Sequence, residues 1–182
     1  MRPFKTLENL IQSREKQSLT FPQVNALTGG KFPIVNYEDL PKYHSIQQVC
    51  GDNGCILYLP VQTINSGHYI SMFIRGQNPE VLYYTDSYGF DIRTDLTKAT
   101  YIFKNEQQRY LIDLLMGFKD QGGFISVNPY GYQKLSSPTD TCGRYAIIRL
   151  FFQGLNHEQF HQFLKYKNLK PDEIVSLMTW QQ

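Results

Sequence analysis

Residues Gln133 to Leu150 read Gln-Lys-Leu-Ser-Ser-Pro-Thr-Asp-Thr-Cys-Gly-Arg-Tyr-Ala-Ile-Ile-Arg-Leu, and they pass from a polar loop into a nearly continuous apolar run. Asp140 and Thr141 are residue types that begin helices. From Cys142 to Phe152 the apolar side chains fall on nearly every side of a helical wheel, which is typical of a buried helix. The sequence therefore predicts a central helix with Cys142 in its first turn.

A cysteine in this position is either a nucleophile or a small buried residue. The backbone N–H groups of the first turn have no intrahelical partner and the helix dipole is positive there, so both favour a thiolate. Gly143 lets another group approach the backbone closely. This stretch alone does not separate the two interpretations.

The chain length and the hydrophobic content favour one domain with a hydrophobic core. The chain has 182 residues, of which 41% are hydrophobic. We expect a single domain over residues 1–182, with an N-terminal extension of helix and loop (1–45), a core that carries the site (55–153) and C-terminal helices (156–182). The formal charge of +2 permits contact with a polyanion but does not require it.

The number of cysteines and the lack of long apolar segments indicate the cellular compartment of the protein. Met1 to Lys16 contains no apolar stretch of the signal-peptide kind, and no run reaches membrane-spanning length, so we expect no membrane partner. Three cysteines are an odd number, which favours a free thiol over a disulfide framework. The sequence therefore predicts a reducing intracellular compartment.

Periodicity and breakers predict an α+β fold with a central mixed β-sheet flanked by helices. The predicted helices are 4–14, 105–118, 142–152, 156–167 and 171–180. The predicted strands are 55–61, 67–75, 81–85 and 124–127. Leu19 to Tyr43 contains three prolines and two glycines and is predicted to be irregular.

The histidine His68 stands at the start of one predicted strand, where it can be half-buried and still reach a substrate. If 67–75 and 81–86 form an antiparallel hairpin around Gln77 and Asn78, His68 lies opposite residue 86 or 87. Asp86 is there. An acid beside an imidazole fixes its tautomer and stabilises the imidazolium, as a nucleophile–base–orienter set requires. A satisfied histidine at the edge of the core and a polar turn at 86–89 are the structural alternatives.

An oxyanion needs hydrogen-bond donors, and two are available near Cys142. One is its own backbone N–H, at a helix N-terminus. The other is the side-chain amide of Gln133, on the preceding loop. Taken alone, Gln133 would be interpreted as a surface glutamine.

Taken in order, these residues resemble a known family. Gly-His-Tyr at 67–69, Asp-Ser-Tyr-Gly-Phe at 86–90, Gln133 and Cys-Gly at 142–143 resemble the adenain-like (adenovirus-type) cysteine proteases, which are related to the SUMO-deconjugating proteases. Asp-Thr-Cys-Gly-Arg-Tyr before an apolar helix is similar to the adenain-like proteases of large DNA viruses and virophages. The resemblance spans about residues 55–153.

The resemblance implies His68 as general base, Asp86 as its orienter, Cys142 as nucleophile and Gln133 as oxyanion donor. The chain departs from the family in two residues and in the length of one loop. Tyr69 replaces the usual Trp, Asp86 stands where adenain has Glu, and the loop from Gln133 to Cys142 is slightly longer than the family norm.

The function implied is that of a cysteine endopeptidase that cleaves after Gly-Gly-like or Gly-X sequences and matures viral capsid or core precursors. It would act in the virion and in the virus factory of the host-cell cytoplasm. One alternative keeps the chemistry and makes the enzyme a deconjugating isopeptidase for a ubiquitin-like modifier. A second is a catalytically silent binding module of the same fold.

The partners and cofactors follow from the same resemblance. The expected partner is a protein substrate, and no cofactor or metal is required. A peptide or DNA activator stays open, because adenain uses DNA while this chain offers only a thin basic patch at Lys165, Lys167 and Lys170.

A competing motif is His-Glu-x-x-His at 157–161, the spacing of zinc proteases, where two histidines bind metal and the glutamate is the base. Asn156 and Gln159 form a capping-box pair that would place His157 at a frayed helix start. Phe160, Phe163 and Leu164 form a buried stripe that the histidines flank. We therefore predict an ordinary amphipathic helix here.

Other singular residues have structural interpretations. Cys50 and Cys55 bracket an Asn-Gly dipeptide that is typical of hairpins, so they are expected to flank a turn rather than bind metal. Arg144 and Arg149 lie on the apolar helix and are expected to be paired and structural, although Arg144 is close enough to Cys142 to meet a substrate.

Overall fold

The computed structural model of the protein describes residues 6–60, 67–99, 109–134, 139–165 and 168–180. Its helices are α1 (Leu7–Glu15), α2 (Phe21–Thr28), α3 (Ile46–Cys50), α4 (Ile92–Ala99), α5 (Arg109–Asp120), α6 (Cys142–Phe151), α7 (His157–Leu164) and α8 (Pro171–Met178), with a 3-10 helix at Tyr37–Lys42. Its strands are β1 (Ile34–Asn36), β2 (Cys55–Pro60), β3 (Gly67–Arg75), β4 (Val81–Thr85) and β5 (Phe124–Val127).

These strands form one mixed sheet, with five members among the described residues. Their order is the order of the sequence, β1-β2-β3-β4-β5. The central β2, β3 and β4 are antiparallel neighbours, whereas β1 and β5 pair in parallel at the two edges. The predicted α+β class with a mixed sheet is therefore confirmed.

Helix α6 is apolar on all sides because different layers cover it. Cys142, Ala146, Ile147 and Leu150 pack with the N-terminal segment and one face of the sheet. Tyr145 and Ile148 face the cluster formed with α7 and α8. The opposite face of the sheet packs against the 3-10 helix, α3 and α5. The predicted buried central helix is confirmed, and its first residue is Cys142.

The predicted irregular structure of Leu19 to Tyr43 is wrong. This stretch contains α2, β1 and the 3-10 helix. Pro22 lies in the first turn of α2, where its missing N–H costs nothing, and Thr20 and Gln23 form a capping box. The breaker Gly29 ends the same helix with a φ of 61°. Pro22 and Gly29 therefore mark the two ends of α2.

The other predicted elements agree with the structure to within a few residues. Residues 4–5, 61, 105–108, 135–138, 166–167 and 181–182, some of which belong to predicted elements, lie outside the described residues. Helices α3 and α4 were not predicted. Cys50 and Cys55 flank a turn as predicted, but this turn joins helix α3 to strand β2 and is not the turn of a β-hairpin. None of the helices in the described ranges is long and apolar enough to span a membrane.

The two arginines of α6 are fully buried. Arg149 donates to the carbonyls of Phe152 and Leu155 at 2.8 and 2.9 Å, and its guanidinium lies 4.6 Å from the ring centroid of Phe73. Arg144 donates to the hydroxyl of Thr179 at 2.7 Å. Both are structural as predicted, but among the described residues carbonyl and hydroxyl oxygens, not carboxylates, accept their hydrogen bonds.

Candidate active site

The site lies where β3 extends beyond its pairing with β4. The two strands pair from Ser71 opposite Thr85 to Arg75 opposite Val81, so His68 has a neighbour in β2 but none in β4. Continued outward, this register would place residue 88 opposite His68, one residue beyond the predicted range of 86 or 87. The chain leaves the sheet at Asp86, and this opens space for side chains beside the end of β3.

His68 and Asp86 are in direct contact. The Nε2 atom of His68 is hydrogen-bonded to Oδ2 of Asp86, and the Asp86 side chain is fully buried. The Oδ1 atom of Asp86 accepts the backbone N–H groups of Tyr88 at 2.6 Å and of Phe90 at 3.3 Å. The carboxylate is therefore held from both sides, and it presents one oxygen to the imidazole.

Cys142 is the second partner of the His68 ring. The Cys142 sulfur lies close enough to the imidazole to raise the pKa of His68. Because Nε2 contacts Asp86, Nδ1 is the nitrogen left for the sulfur. Cys142 is 5% exposed and His68 has a side-chain exposure of 13%, so the pair lies just below the surface. The structure thus brings Cys142, His68 and Asp86 together in that order.

The electrostatics of His68 favour its charged form. Burial lowers the pKa of His68, but the hydrogen bonds and negative charges of Asp86 and Cys142 outweigh burial and raise that pKa well above its ordinary 6.5. A protonated imidazole between a carboxylate and a cysteine sulfur is the arrangement by which cysteine nucleophiles are activated. The arrangement is suited to nucleophilic attack at neutral pH.

The N-terminal end of α6, at Cys142, has backbone N–H groups that the side chain of its N-cap residue does not cap. Thr141 occupies the N-cap position but makes no side-chain hydrogen bond to the helix. Its hydroxyl donates instead to Asp172 of α8 at 2.5 Å. The first-turn N–H groups of α6 are thus not capped by this side chain, as an oxyanion site requires.

Gln133 lies on the loop beside the Cys142 helix and is 4% exposed, so it is not a surface glutamine. Its Oε1 accepts the hydroxyl of Ser87 at 2.9 Å, and its Nε2 donates to the carbonyl of Thr139 at 3.0 Å. Its backbone N–H donates to the carbonyl of Ser87 at 3.0 Å. The Gln133 amide is thereby fixed between the loop after Asp86 and the segment that leads to Cys142.

The N-terminal segment lies against the same helix end. The hydroxyl of Tyr69 donates to the carbonyl of Leu19 at 2.8 Å, and the backbone N–H of Asp140 donates to the carbonyl of Glu15. A Cβ atom at Gly143 would lie only 3.2 Å from the Tyr69 ring. The close approach expected at Gly143 is present, and the approaching group is the residue after His68.

Gly89 couples the two loops of the site, and its replacement gives a first testable prediction. It has a φ of +75°, and a Cβ atom there would lie 2.7 Å from the backbone of Tyr130 and Gly131. Gly29 has a φ of +61° with nothing within 4 Å of such a Cβ, so it carries the conformational cost alone. We expect Gly29→Ala to cost about 1 kcal/mol and Gly89→Ala about 2–3 kcal/mol more.

Urea denaturation of both variants measures this difference. Because the clash pushes the loop of Gln133 away from the loop of Asp86, we also expect the alkylation rate of Cys142 to change in Gly89→Ala but not in Gly29→Ala. Equal stability losses in the two variants would show that the loops do not need this close contact.

The His-Glu-x-x-His residues serve packing contacts. His157 is 7% exposed and its Nε2 contacts the carbonyl of Ser126 at 3.0 Å, so the predicted frayed position is wrong. His161 stacks on Tyr130 with ring centroids 3.9 Å apart, and Glu158 accepts the Tyr130 hydroxyl. The capping box of Asn156 and Gln159 is confirmed. These contacts tie α7 to the segment after β5.

The remaining cysteines lie away from this site. Cys50 and Cys55 are fully buried and hydrogen-bonded to each other, and with Cys142 they are free thiols. Of the proposed basic patch, Lys167 is outside the described residues.

The site contains a residue that sequence reasoning missed. Asp95 of α4 is 2% exposed, and one oxygen of its carboxyl group lies within 4.8 Å of ligand atoms of His68 and Asp86. Such a group could hold a cation, but His68 and Asp86 are hydrogen-bonded directly, so an ion between them would have to separate them. The available signal was Asp91, whose side chain caps the N–H of Thr94 at 2.8 Å and starts α4.

Comparison with known proteins shows a similarity to a virophage protein and no matching family model. No family model matches the chain. The chain is 27% identical over 172 residues to "Uncharacterized protein V9" of the Sputnik virophage, and the match covers 91% of this chain and 95% of that protein. The similarity suggests a viral origin.

Proposed function

We propose that this protein is a cysteine endopeptidase that uses Cys142 as nucleophile, His68 as acid and base, and Asp86 as the group that orients His68. The observation that carries the proposal is the chain of contacts from the buried Asp86 carboxylate through the imidazole to the sulfur at the start of α6. Such a set is identified by geometry and roles.

The reaction begins with attack of the Cys142 thiolate on the carbonyl carbon of the scissile peptide bond. The carbon–nitrogen bond then breaks, and the His68 imidazolium gives its proton to the departing amine. A water molecule loses a proton to the neutral His68 and attacks the thioester. The thioester breaks to give the free carboxyl product and the thiolate–imidazolium pair.

The developing oxyanion would be bound by two donors. The first is the backbone N–H of Cys142, in the uncapped first turn of α6. The second is the Gln133 amide, whose two N–H groups allow one to stay on the Thr139 carbonyl while the other meets the oxyanion. Its hydrogen bond with Ser87 holds the amide in one orientation.

The substrate class rests on the family resemblance and on the viral relationship. We propose cleavage after Gly-Gly-like or Gly-X sequences in a viral capsid or core precursor, in the virion or the cytoplasmic virus factory. The similarity to a virophage protein over most of both chains supports a viral substrate.

Peptide cleavage tests this function. We expect the full chain to cleave internally quenched peptides with Gly-Gly before the scissile bond, and to leave the same peptides with Ala-Ala intact. Cleavage should disappear in Cys142→Ala. If the wild-type chain cleaves none of these peptides, even with peptide or DNA activators added, the endopeptidase proposal is wrong.

Gln133→Ala tests the oxyanion role. Loss of one oxyanion donor lowers kcat by about 10²- to 10³-fold, with little change in KM, because the bond forms mainly in the transition state. Gln121→Ala is the matched control, because Gln121 is an exposed residue of the turn after α5. Steady-state kinetics on the Gly-Gly peptide measure both constants. A change in KM with kcat preserved would assign Gln133 to substrate binding instead.

A further inference from the structure

We propose that Asp95 is a positioning residue whose protonated carboxyl group donates a hydrogen bond to the Asp86 carboxylate and thereby fixes the oxygen that orients His68. The inference deepens the proposed function and rests on it for the role of His68. Asp95 does not touch the reacting atoms. It acts through Asp86.

The geometry of α4 carries this proposal. Asp91 caps the helix, and Asp95, one turn later, points into the protein. One oxygen of its carboxyl group lies within 4.8 Å of a carboxylate oxygen of Asp86. The Tyr84 hydroxyl, also fully buried, donates to Oδ2 of Asp95 at 2.7 Å. Asp95 thus links the last buried tyrosine of β4 to the acid that follows this strand.

The charges decide which carboxyl group carries the proton. Asp86 accepts two backbone N–H groups through Oδ1 and contacts His68 through Oδ2, so both of its oxygens already serve as acceptors. Asp95 has the Tyr84 hydroxyl and sits beside the negative Asp86. Two neighbouring buried carboxylates cannot both ionise at low cost. The proton therefore resides on Asp95, which makes Asp95 the donor between the two.

The titration of Asp95 agrees with this assignment. Burial and the charge of Asp86 raise the pKa of Asp95 from 3.8 to about 7, although His68 and the hydrogen bond from Tyr84 act in the opposite direction. Burial and the proximity of Asp95 also raise the pKa of Tyr84, so its hydroxyl remains a donor. Below pH 7 the chain Tyr84–Asp95–Asp86–His68 is complete, and above pH 7 Asp95 loses the proton that it donates.

Two substitutions separate hydrogen bonding from charge. Asp95→Asn keeps a donor for Asp86 and an acceptor for Tyr84 but cannot ionise. Asp95→Leu has a similar size and can make neither bond. Asp113→Asn is the control, because Asp113 is a carboxylate on α5 with 57% side-chain exposure.

The readouts are the ring nitrogen shifts of His68 in a pH titration by NMR and the alkylation rate of Cys142 at pH 5–6. We expect a wild-type inflection near pH 7 in the His68 shifts that is absent in Asp95→Asn and present in Asp113→Asn. Because a hydrogen bond to a charged group is worth roughly 1.5–3 kcal/mol, Asp95→Leu should slow alkylation by about tenfold or more, and Asp95→Asn should restore most of the rate.

The proposal is overturned if wild type and Asp95→Asn give the same His68 titration curve, or if Asp95→Leu alkylates as fast as wild type. If circular dichroism shows that Asp95→Leu is unfolded, the comparison of the His68 titration in wild type and Asp95→Asn still tests the proposal. Neither readout needs a peptide substrate. If no peptide is cleaved but the Asp95 inflection is found, the endopeptidase function fails and the positioning role of Asp95 stands.

Discussion

Replacement of His68 by alanine is expected to slow the alkylation of Cys142 at pH 5–6 by about 10²- to 10³-fold. In the wild type the imidazolium stabilises the thiolate, because Asp86 and Cys142 raise the pKa of His68 well above 6.5. Without His68, Cys142 becomes an ordinary thiol, of which only about one molecule in 10³ is ionised near pH 5.5. The pH limits of this effect follow from the sign of the shift: the ion pair persists through neutral pH and is lost as the pH rises through the raised pKa of His68.

Iodoacetamide labelling followed by peptide mass spectrometry measures each cysteine separately, with no knowledge of the substrate. Cys50 and Cys55 are internal controls, since both are fully buried and should react only on unfolding. Cys142→Ala should lose the fast-reacting site and all peptide cleavage. If Cys142 in the wild type reacts like a free thiol and His68→Ala leaves its rate unchanged, the ion pair does not exist and a binding module becomes the better interpretation.

The second large effect is expected for Asp86. Asp86→Ala removes the contact with His68 and the acceptor of two backbone N–H groups. Burial, which lowers the pKa of His68, would then no longer be opposed by the hydrogen bond and the charge of Asp86, so the charged form of His68 is less stable. We expect kcat/KM on a cleaved Gly-Gly peptide to fall by about 10³-fold or more, because a triad without its acid loses the orientation of the imidazole.

Stability should change with activity in this variant. A buried charge that loses its partner costs about 3 kcal/mol, so Asp86→Ala should unfold at clearly lower urea concentration. Asp86→Asn keeps the shape and the acceptor for Tyr88 and should recover most of that stability while remaining a poor enzyme. Peptide kinetics, urea denaturation and the NMR titration of His68 test these points, with Asp113→Ala as the exposed control. If Asp86→Asn retained wild-type kcat/KM, the negative charge of Asp86 would have no part in catalysis.

The N-terminal segment and α4 show where sequence reasoning fails. Pro22 and Gly29 predict irregular structure, yet Pro22 is favourable in the first turn of α2 and Gly29 at its C-terminal end. Asp95 stands in a stretch for which the sequence predicts no element, and nothing in its local pattern signals burial. The role of Asp95 depends on Asp86, nine residues earlier in the chain. The two carboxyl groups come close together because the chain leaves the sheet at Asp86 and returns as α4.

The His-Glu-x-x-His motif shows the opposite failure, in which spacing alone resembles a site. Two histidines one helical turn apart can bind zinc only if both nitrogens face a common point. Here His157 contacts the carbonyl of Ser126 and His161 stacks on Tyr130. The contacts of α7 with neighbouring segments therefore settle what the motif could not.

The sequence by itself determined the buried helix that starts at Cys142, the hairpin of β3 and β4 and the α+β class, because these depend on local periodicity and on short-range pairing. It also predicted that His68 and Asp86 lie near each other, since one hairpin joins them. Only the tertiary structure decided that Cys142 meets the other side of the His68 ring, that Gln133 is locked between two loops and that Asp95 lies behind Asp86. Those contacts join segments far apart in the chain, and they form because the sheet, α4 and α6 bury their apolar faces together.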